Sequence, residues 1–310
     1  MRILVTGAAG YIGSALVRAM AARPGARVVA TDQAELEPPP GVEAIVGNLA
    51  YPPFARSLVT PDTAAVFHLA SLVSGGAEQN FELGTKVNLD ATRDLLEACR
   101  LGGARPKFLF ASSIAVYGGR HDRVDDATPA APRLSYGAHK LVCEILVDDY
   151  SRKGYLDGCS LRLPTVMVRP GAANTAVSGW ASAIIREPLA GRDYACPVRP
   201  DTRMACISVR RVVESFLHAS QIEFQGFQRT VLLPGIPVSA QQMWDAVKDR
   251  AKGRVRFEPD PALQKIMDAV PKETVSEKAK SLGFRASASI AEIVDDYEKD
   301  HSDPSVARQR

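Results

Sequence analysis

The chain of 310 residues lacks several features that would direct it to particular partners. No apolar run approaches the roughly 20 residues that a membrane-crossing helix requires, so no membrane span is expected. No dense basic run is present, and 38 basic residues against 35 acidic ones leave a net charge of only +3. A nucleic-acid partner is therefore not expected. Cysteine is scarce: Cys99, Cys143, Cys159, Cys196 and Cys206 are scattered, with neither paired nor metal-ligand spacing. No metal site follows, and reduced, mostly buried thiols in a cytoplasm are the simplest account. Internal repeats are absent, and no low-complexity tract is longer than EPPPG at 37–41. The opening MRILVTGAAG enters a strand pattern at once, without the layout of a signal peptide.

What is present is an ordinary globular balance, 46% apolar and 24% charged, in a chain long enough to bury a full core. The first half alternates short apolar runs with helical patterns. RILVTG, ARVVATD, AAVFHLAS, KFLFASS and GCSLRLPTVMV have the length and composition of buried strands. GSALVRAMAARP, NLDATRDLLEACRLGG and SYGAHKLVCEILVDDYSRKG have helical periodicity and stand between them. Strands alternating with helices demand right-handed crossovers, so the expected fold class is α/β, with a Rossmann-type doubly wound parallel sheet over residues 1–168. Beyond Val168 the pattern loosens. A loop rich in small residues becomes a helix that stops near Pro188, ISVRRVVESFLHASQ is a strand running into a helix, and amphipathic helices flank a short strand, VRFEP. Residues 169–201 and 223–310 are expected to form a smaller C-terminal α/β substrate-binding domain, with 202–222 packing back on the first domain.

VTGAAGYIGSAL sets Gly7, Gly10 and Gly13 directly after a strand and before a helix, with Tyr11 and Ile12 at the turn into that helix. Glycine is required where backbone turns tightly or touches a pyrophosphate, and a helix N-terminus presents aligned N–H donors to an anion. Asp32 ends the next strand, at the distance dinucleotide binding demands. A carboxylate there accepts hydrogen bonds from both ribose hydroxyls and repels a 2′-phosphate, and no arginine follows Gln33 to receive one. NAD is expected rather than NADP.

RLSYGAHK places Tyr136 and Lys140 one helical turn apart, on one face of a helix. A free phenol has a pKa near 10, so service as a base at neutral pH needs a shift of roughly three units, or about 4 kcal/mol. One positive charge about 4 Å away at an effective dielectric near 20 supplies about that much. Lys140 is thus sufficient in magnitude, and its three donors suit a ribose as well.

TGAAGYIG, FASSIAVYGG and SYGAHK together resemble the extended short-chain dehydrogenase/reductases, the NAD-dependent epimerase/dehydratase family. The resemblance implies Tyr136 as acid/base, Lys140 as the group that lowers its pKa and binds the nicotinamide ribose, and Ser113 as the catalytic serine, with Ser112 structural. It implies a cofactor-lining strand end at Leu69, Ala70 and Ser71, beside a core histidine at His68. It also implies cofactor contacts from Asn88 in KVNLDAT and from Leu163 and Thr165 in LRLPT. One departure stands at Asn48, followed by Leu49, where such proteins usually carry aspartate near the adenine; asparagine both accepts and donates, so that contact is altered rather than abolished. A homodimer through the helix carrying Tyr136 is a further expectation from the family.

The fold does not settle a substrate. HLASLVSGGAEQNFELGTKVNLDATRDLLEACR and the stretch from LRLPTVMVRPG to DYACPV resemble the family's sugar-acid dehydrogenases, which oxidise the 2-hydroxyl of a four-carbon acid with NAD. A small hydroxy acid needs a guanidinium for its carboxylate, because bidentate pairing fixes orientation as well as charge. Arg169, just past the strand expected at the nicotinamide, is the first candidate; Arg186 and Arg203 are weaker ones. Ser74, Asn174 and Ser178 are candidates for substrate hydroxyls, with Ser113 and Tyr136 on the reacting oxygen. The alternatives are a nucleotide-sugar epimerase or dehydratase, a uronate-type dehydrogenase, and a non-catalytic NAD-binding sensor.

Overall fold

The computed structural model of the protein describes residues 1–119, 121–171 and 176–302. Two compact units are formed, the first from Met1–Val116, Leu134–Arg162 and Val213–Val231, the second from Tyr117–Arg133, Leu163–Val212 and the chain from Leu232 on.

The first unit is built on a seven-stranded sheet. Strands β1 (Arg2–Thr6), β2 (Arg27–Asp32), β3 (Glu43–Val46), β4 (Thr63–His68) and β5 (Lys107–Ser113) pair in parallel in the order β5-β4-β1-β2-β3. Asp157–Leu163 and then Thr230–Leu232 extend the sheet beyond β5. Every residue of β1 is buried and β2 is buried from Val28 to Thr31, the pattern of strands covered on both faces. On one face Leu4, Val66, Phe108 and Phe110 pack with Leu95, Leu96 and Cys99 of helix Ala91–Gly102, and with Cys143 and Val147 of helix Ser135–Arg152. Elsewhere Phe67 meets Phe216 of helix Val209–Ala219 edge to face.

Two of these strands escape a reading of the sequence by pattern. β3 is an edge strand with mostly exposed side chains, and Thr230–Leu232 spans only three residues, so neither shows a long apolar run. The helix expected over NLDATRDLLEACRLGG also begins earlier and in pieces. It runs Phe81–Thr85, then a π-helical turn Lys86–Asp90, then Ala91–Gly102, and closes on Gly103 in the left-handed region.

The second unit has its own core of Met167, Val168, Trp180, Ile184, Ile185, Met204, Cys206, Met243 and Ile293. Strands Thr165–Met167, Arg203–Ser208 and Ile236–Ser239 make one three-stranded sheet. The strand VRFEP is present as Val255–Phe257 and pairs in parallel with Tyr194–Cys196. Helix Ala240–Asp245 opens on a capping box between Ser239 and Gln242. Helix Trp180–Leu189 stops one residue past Pro188, where the sequence placed its end.

Candidate active site

Strand order in the parallel sheet reverses between β1 and β4, and open α/β sheets bind ligands at the carboxyl ends of the strands there. The residues at those ends are Gly7 after β1, Asp32 at the end of β2, Leu69–Ser71 after β4 and Ser113 at the end of β5. Tertiary structure thus gathers residues far apart in sequence along one edge of the first unit.

Two of the three glycines of the loop have no room for a side chain. Gly7 takes φ +71°, and a Cβ on it would stand 2.6 Å from the Ala70 nitrogen. A Cβ on Gly13 would stand 2.0 Å from the Gly7 carbonyl oxygen. Helix α1 (Tyr11–Ala21) starts from Gly10 with no side-chain cap and no acidic residue in its first turn, which leaves its positive end suited to an anion. Asp32 is held in place by backbone: one carboxylate oxygen accepts from Ala9 N at 3.0 Å, the other from Ala34 N at 3.2 Å. A carboxylate offers about four acceptor sites, so capacity for ribose hydroxyls remains. Asn48 is exposed and folds its Oδ1 onto the Ala50 nitrogen at 2.9 Å, while Leu49 is buried in the core of the first unit.

Tyr136 lies in the first turn of helix Ser135–Arg152, with the hydroxyls of Ser113 and Ser71 near enough to its own to favour the phenolate. Ser113 Oγ also accepts from Ala115 N at 3.1 Å. Ser112, its neighbour, faces elsewhere as strand alternation requires, and donates to Glu144. Ser71 donates to Asn88 Oδ1 at 3.0 Å, and Asn88 clasps the Leu72 backbone through 2.7 Å and 3.0 Å hydrogen bonds. Asn88 sits in the π-helical turn, whose opened hydrogen-bond ladder leaves its carbonyl to accept from Thr92 Oγ1 at 2.8 Å and from the Cys143 thiol.

Lys140 is buried, with Nζ 4.7 Å from the ring centroid of Phe110 and 5.5 Å from that of Tyr136. Among the described residues no hydrogen-bond acceptor meets this ammonium. Burial lowers its pKa to about 8, against the raising effect of Cys143 and Glu144. The expectation that Lys140 alone pulls the Tyr136 phenol down is corrected: burial raises the phenol, and outweighs the lowering influence of the nearby Ser113 and Ser71 hydroxyls. Desolvation acts on both members of the pair, disfavouring phenolate and ammonium alike.

His68 is the core histidine expected beside the strand end. Its Nδ1 pairs with Thr6 Oγ1 at 2.7 Å and its Nε2 with Thr92 Oγ1 at 2.9 Å, and its ring stacks on Phe110. Burial first, and Lys140 second, depress it to about 3, so it is neutral at physiological pH.

The remaining candidates stand on other elements. Ser74 opens the short helix Ser74–Gln79, and Leu163 is buried at the end of strand Asp157–Leu163. Thr165, in the second unit, pairs with Cys206. Arg169 is partly exposed and its peptide is bracketed by helix Trp180–Leu189: Ser182 Oγ accepts from Arg169 N at 3.0 Å, and Arg186 donates to the Arg169 carbonyl at 2.7 Å. Arg186 is buried and also paired with Glu187, a holding role that leaves Arg169 the stronger candidate; Arg203 is exposed on its strand. Ser178 is partly exposed just ahead of that helix, and Asn174 lies outside the described residues. Pattern reasoning missed Thr92, Phe110, Glu144 and Arg162; Glu144 alone carried a signal, standing one helical turn beyond Lys140.

A glycine turn closed to side chains at Gly7 and Gly13, an uncapped helix start, a strand-end carboxylate and a tyrosine–lysine pair beside two serines are features that a dinucleotide-dependent oxidoreductase requires. The model of the NAD dependent epimerase/dehydratase family matches residues 3–226, and the chain belongs to that family. It is 40% identical to D-erythronate dehydrogenase of Cupriavidus necator over 97% of this chain and 98% of that one. It is 35% identical to D-erythronate dehydrogenase of Haemophilus influenzae over 96% and 98%. Among solved structures, the nucleoside-diphosphate-sugar epimerase from Agrobacterium tumefaciens superposes with a TM-score of 0.89 at 32% identity, over 100% of this chain and 96% of that one.

Proposed function

We propose that the protein is an NAD-dependent dehydrogenase that oxidises the 2-hydroxyl of a small sugar acid, D-erythronate to 2-dehydro-D-erythronate. The observation that carries it is the Tyr136 hydroxyl beside those of Ser113 and Ser71, with the Lys140 ammonium 5.5 Å from the ring centroid. Support for the substrate comes from near full-length identity to two relatives of that name. The residues present fit NAD: the glycine cradle and helix start suit a pyrophosphate, Asp32 suits the adenosine ribose, and the unbonded Lys140 ammonium suits the nicotinamide ribose.

NAD, when bound, supplies the acceptor for the hydride from carbon 2. Ser113 and Tyr136 hold the substrate 2-hydroxyl, and Tyr136 as phenolate takes its proton. Lys140 stabilises that phenolate across the ring. Because the two groups interact, they titrate as a pair: one proton is lost, and the resulting form is shared between phenol–amine and phenolate–ammonium. Arg169 binds the carboxylate, and its fixed peptide limits where the guanidinium reaches. Ser74 is assigned to a substrate hydroxyl.

Val142 and Ile145 are exposed on the Tyr136 helix, and Phe81 and Leu83 are exposed on the neighbouring helical segment. We assign this apolar face to a second copy of the chain. Five free, buried cysteines suit a reducing cytoplasm.

The test is an NAD-reduction assay over four- to six-carbon aldonic and uronic acids. NADH accumulating with D-erythronate supports the proposal, and NADH with uronates alone redirects it. The epimerase likeness gives the second reading, which requires isomerised nucleotide sugar without net NADH.

A further inference from the structure

Behind the Ser113–Tyr136–Lys140 set lies a buried charged cluster with no assigned part in the chemistry. Glu144 is on the same helix as Tyr136 and Lys140, at successive turns, so the three side chains share one side of it. Its carboxylate is 3% exposed, far less than an ordinary glutamate tolerates. It is met on two sides. Arg162, on strand Asp157–Leu163, donates from Nε at 3.0 Å and 3.2 Å and from Nη2 at 2.7 Å in a bidentate fork. Ser112, at the end of β5 and adjacent to Ser113, donates its hydroxyl to Oε1. One carboxylate therefore ties the helix that carries Tyr136 and Lys140 to the strand end that carries Ser113, and to the strand beside it.

We propose that Glu144 is a positioning residue for catalysis: gripped by Arg162 and Ser112, it fixes Tyr136 and Lys140 against Ser113 and supplies the negative charge that Lys140 senses. The inference rests on the reading of Tyr136, Lys140 and Ser113 as the catalytic set. A buried ion pair is weak evidence for stability, since its desolvation cost rivals its attraction and an apolar replacement is often as stable. Its placement gives it a different use. The charged and titratable groups around Lys140 are Glu144 and Cys143 on its own helix, His139 on the same helix, His68 from β4 and the Tyr136 phenol. Glu144 is the one carboxylate among them, and Arg162 offsets it from the side away from the helix.

Opposite pH effects follow for the two partners. Removing the carboxylate in Glu144→Gln makes proton loss from the Tyr136–Lys140 pair easier, so the rise of kcat with pH moves to lower pH. Removing the guanidinium in Arg162→Met leaves the carboxylate unopposed and moves the rise to higher pH. Ser112→Ala removes only a hydrogen bond to the strand end and leaves the midpoint in place. All three should lower plateau kcat about tenfold through misplacement of the reacting groups, with KM for NAD within about twofold. Where Arg162→Met does not fold, the double variant Glu144→Met, Arg162→Met takes its place; it should be as stable as the parent, with a midpoint near the parent's and kcat still reduced. The measurements are pH profiles of kcat for the full chain, with thermal melts alongside. Melting temperatures that fall while both profiles keep the parental midpoint, or midpoints that move in the same direction, overturn the inference. Turnover retained by Tyr136→Phe would instead overturn the reading of the catalytic set beneath it, independently of what Glu144→Gln does.

Discussion

The ammonium of Lys140 lies between two aromatic faces, 4.7 Å from the centroid of Phe110 and 5.5 Å from that of Tyr136. Ring quadrupoles attract a cation weakly, by about 0.5–2 kcal/mol, and do not replace lost hydration. The lysine is consequently left with a pKa of about 8. The same burial that raises the phenol makes the ammonium a poor partner to keep protonated in isolation, so each charge depends on the other.

The pH dependence follows from that coupling. At low pH the pair holds both protons and the phenol cannot accept one from substrate. The oxidation rate should rise with pH as one proton leaves, with a midpoint in the region of the Lys140 value of about 8. A kcat profile flat from pH 6 to 10 (roughly the span bracketing that value) would remove the pair from the chemistry.

Tyr136→Phe keeps the ring above Lys140 and deletes the proposed acid/base. Turnover should fall by about 10²–10⁴-fold, with NAD affinity measured by titration changed less than about threefold. An equal loss of NAD binding would make the ring a structural element.

Asp32→Ala should weaken NAD binding by about 10–100-fold, the worth of hydrogen bonds to a charged acceptor, while NADP binding weakens less or improves. The preference ratio is obtained from KM values for the two cofactors. An unchanged ratio would take Asp32 out of ribose recognition.

Arg169→Met should raise KM for the sugar acid by roughly 100-fold through loss of a charge-assisted, bidentate partner, with kcat less affected. Steady-state kinetics on the acid and on its amide separate the cases: the parent should discriminate between the two, and the variant should not.

His68 makes a stability prediction with a defined sign. Its folded pKa of about 3 lies below the ordinary value of 6.5, so between the two the unfolded chain binds the extra proton. The stability gained by keeping His68 neutral is complete above about 6.5 and is lost as pH falls toward 3. The loss is on the order of 5 kcal/mol across that window. His68→Asn, which retains hydrogen-bonding capacity without a titrating group, should flatten the acid limb of melting temperature against pH.

Much of the sheet was legible because buried parallel strands are nearly continuous apolar runs, and RILVTG, KFLFASS and GCSLRL announce themselves in that way. The exposed edge strand Glu43–Val46 did not, since its side chains answer to solvent on both sides. Further along the chain the strand and helix at 203–219 were visible from periodicity, whereas the pairing of Arg203–Ser208 with Thr165–Met167 and Ile236–Ser239 was not, because register between distant segments leaves no local trace.

By itself the sequence determined the glycine loop, the strand-end Asp32, and the one-turn spacing of Tyr136 and Lys140, since these depend on backbone freedom and helical periodicity within short stretches. Only the tertiary structure decided that Ser71 as well as Ser113 stands beside the Tyr136 hydroxyl, that Ser112 turns away to Glu144, and that burial opposes both charges of the Tyr136–Lys140 pair. Those outcomes turn on desolvation and on contacts between segments far apart in the chain, quantities that exist only once the strands are laid side by side.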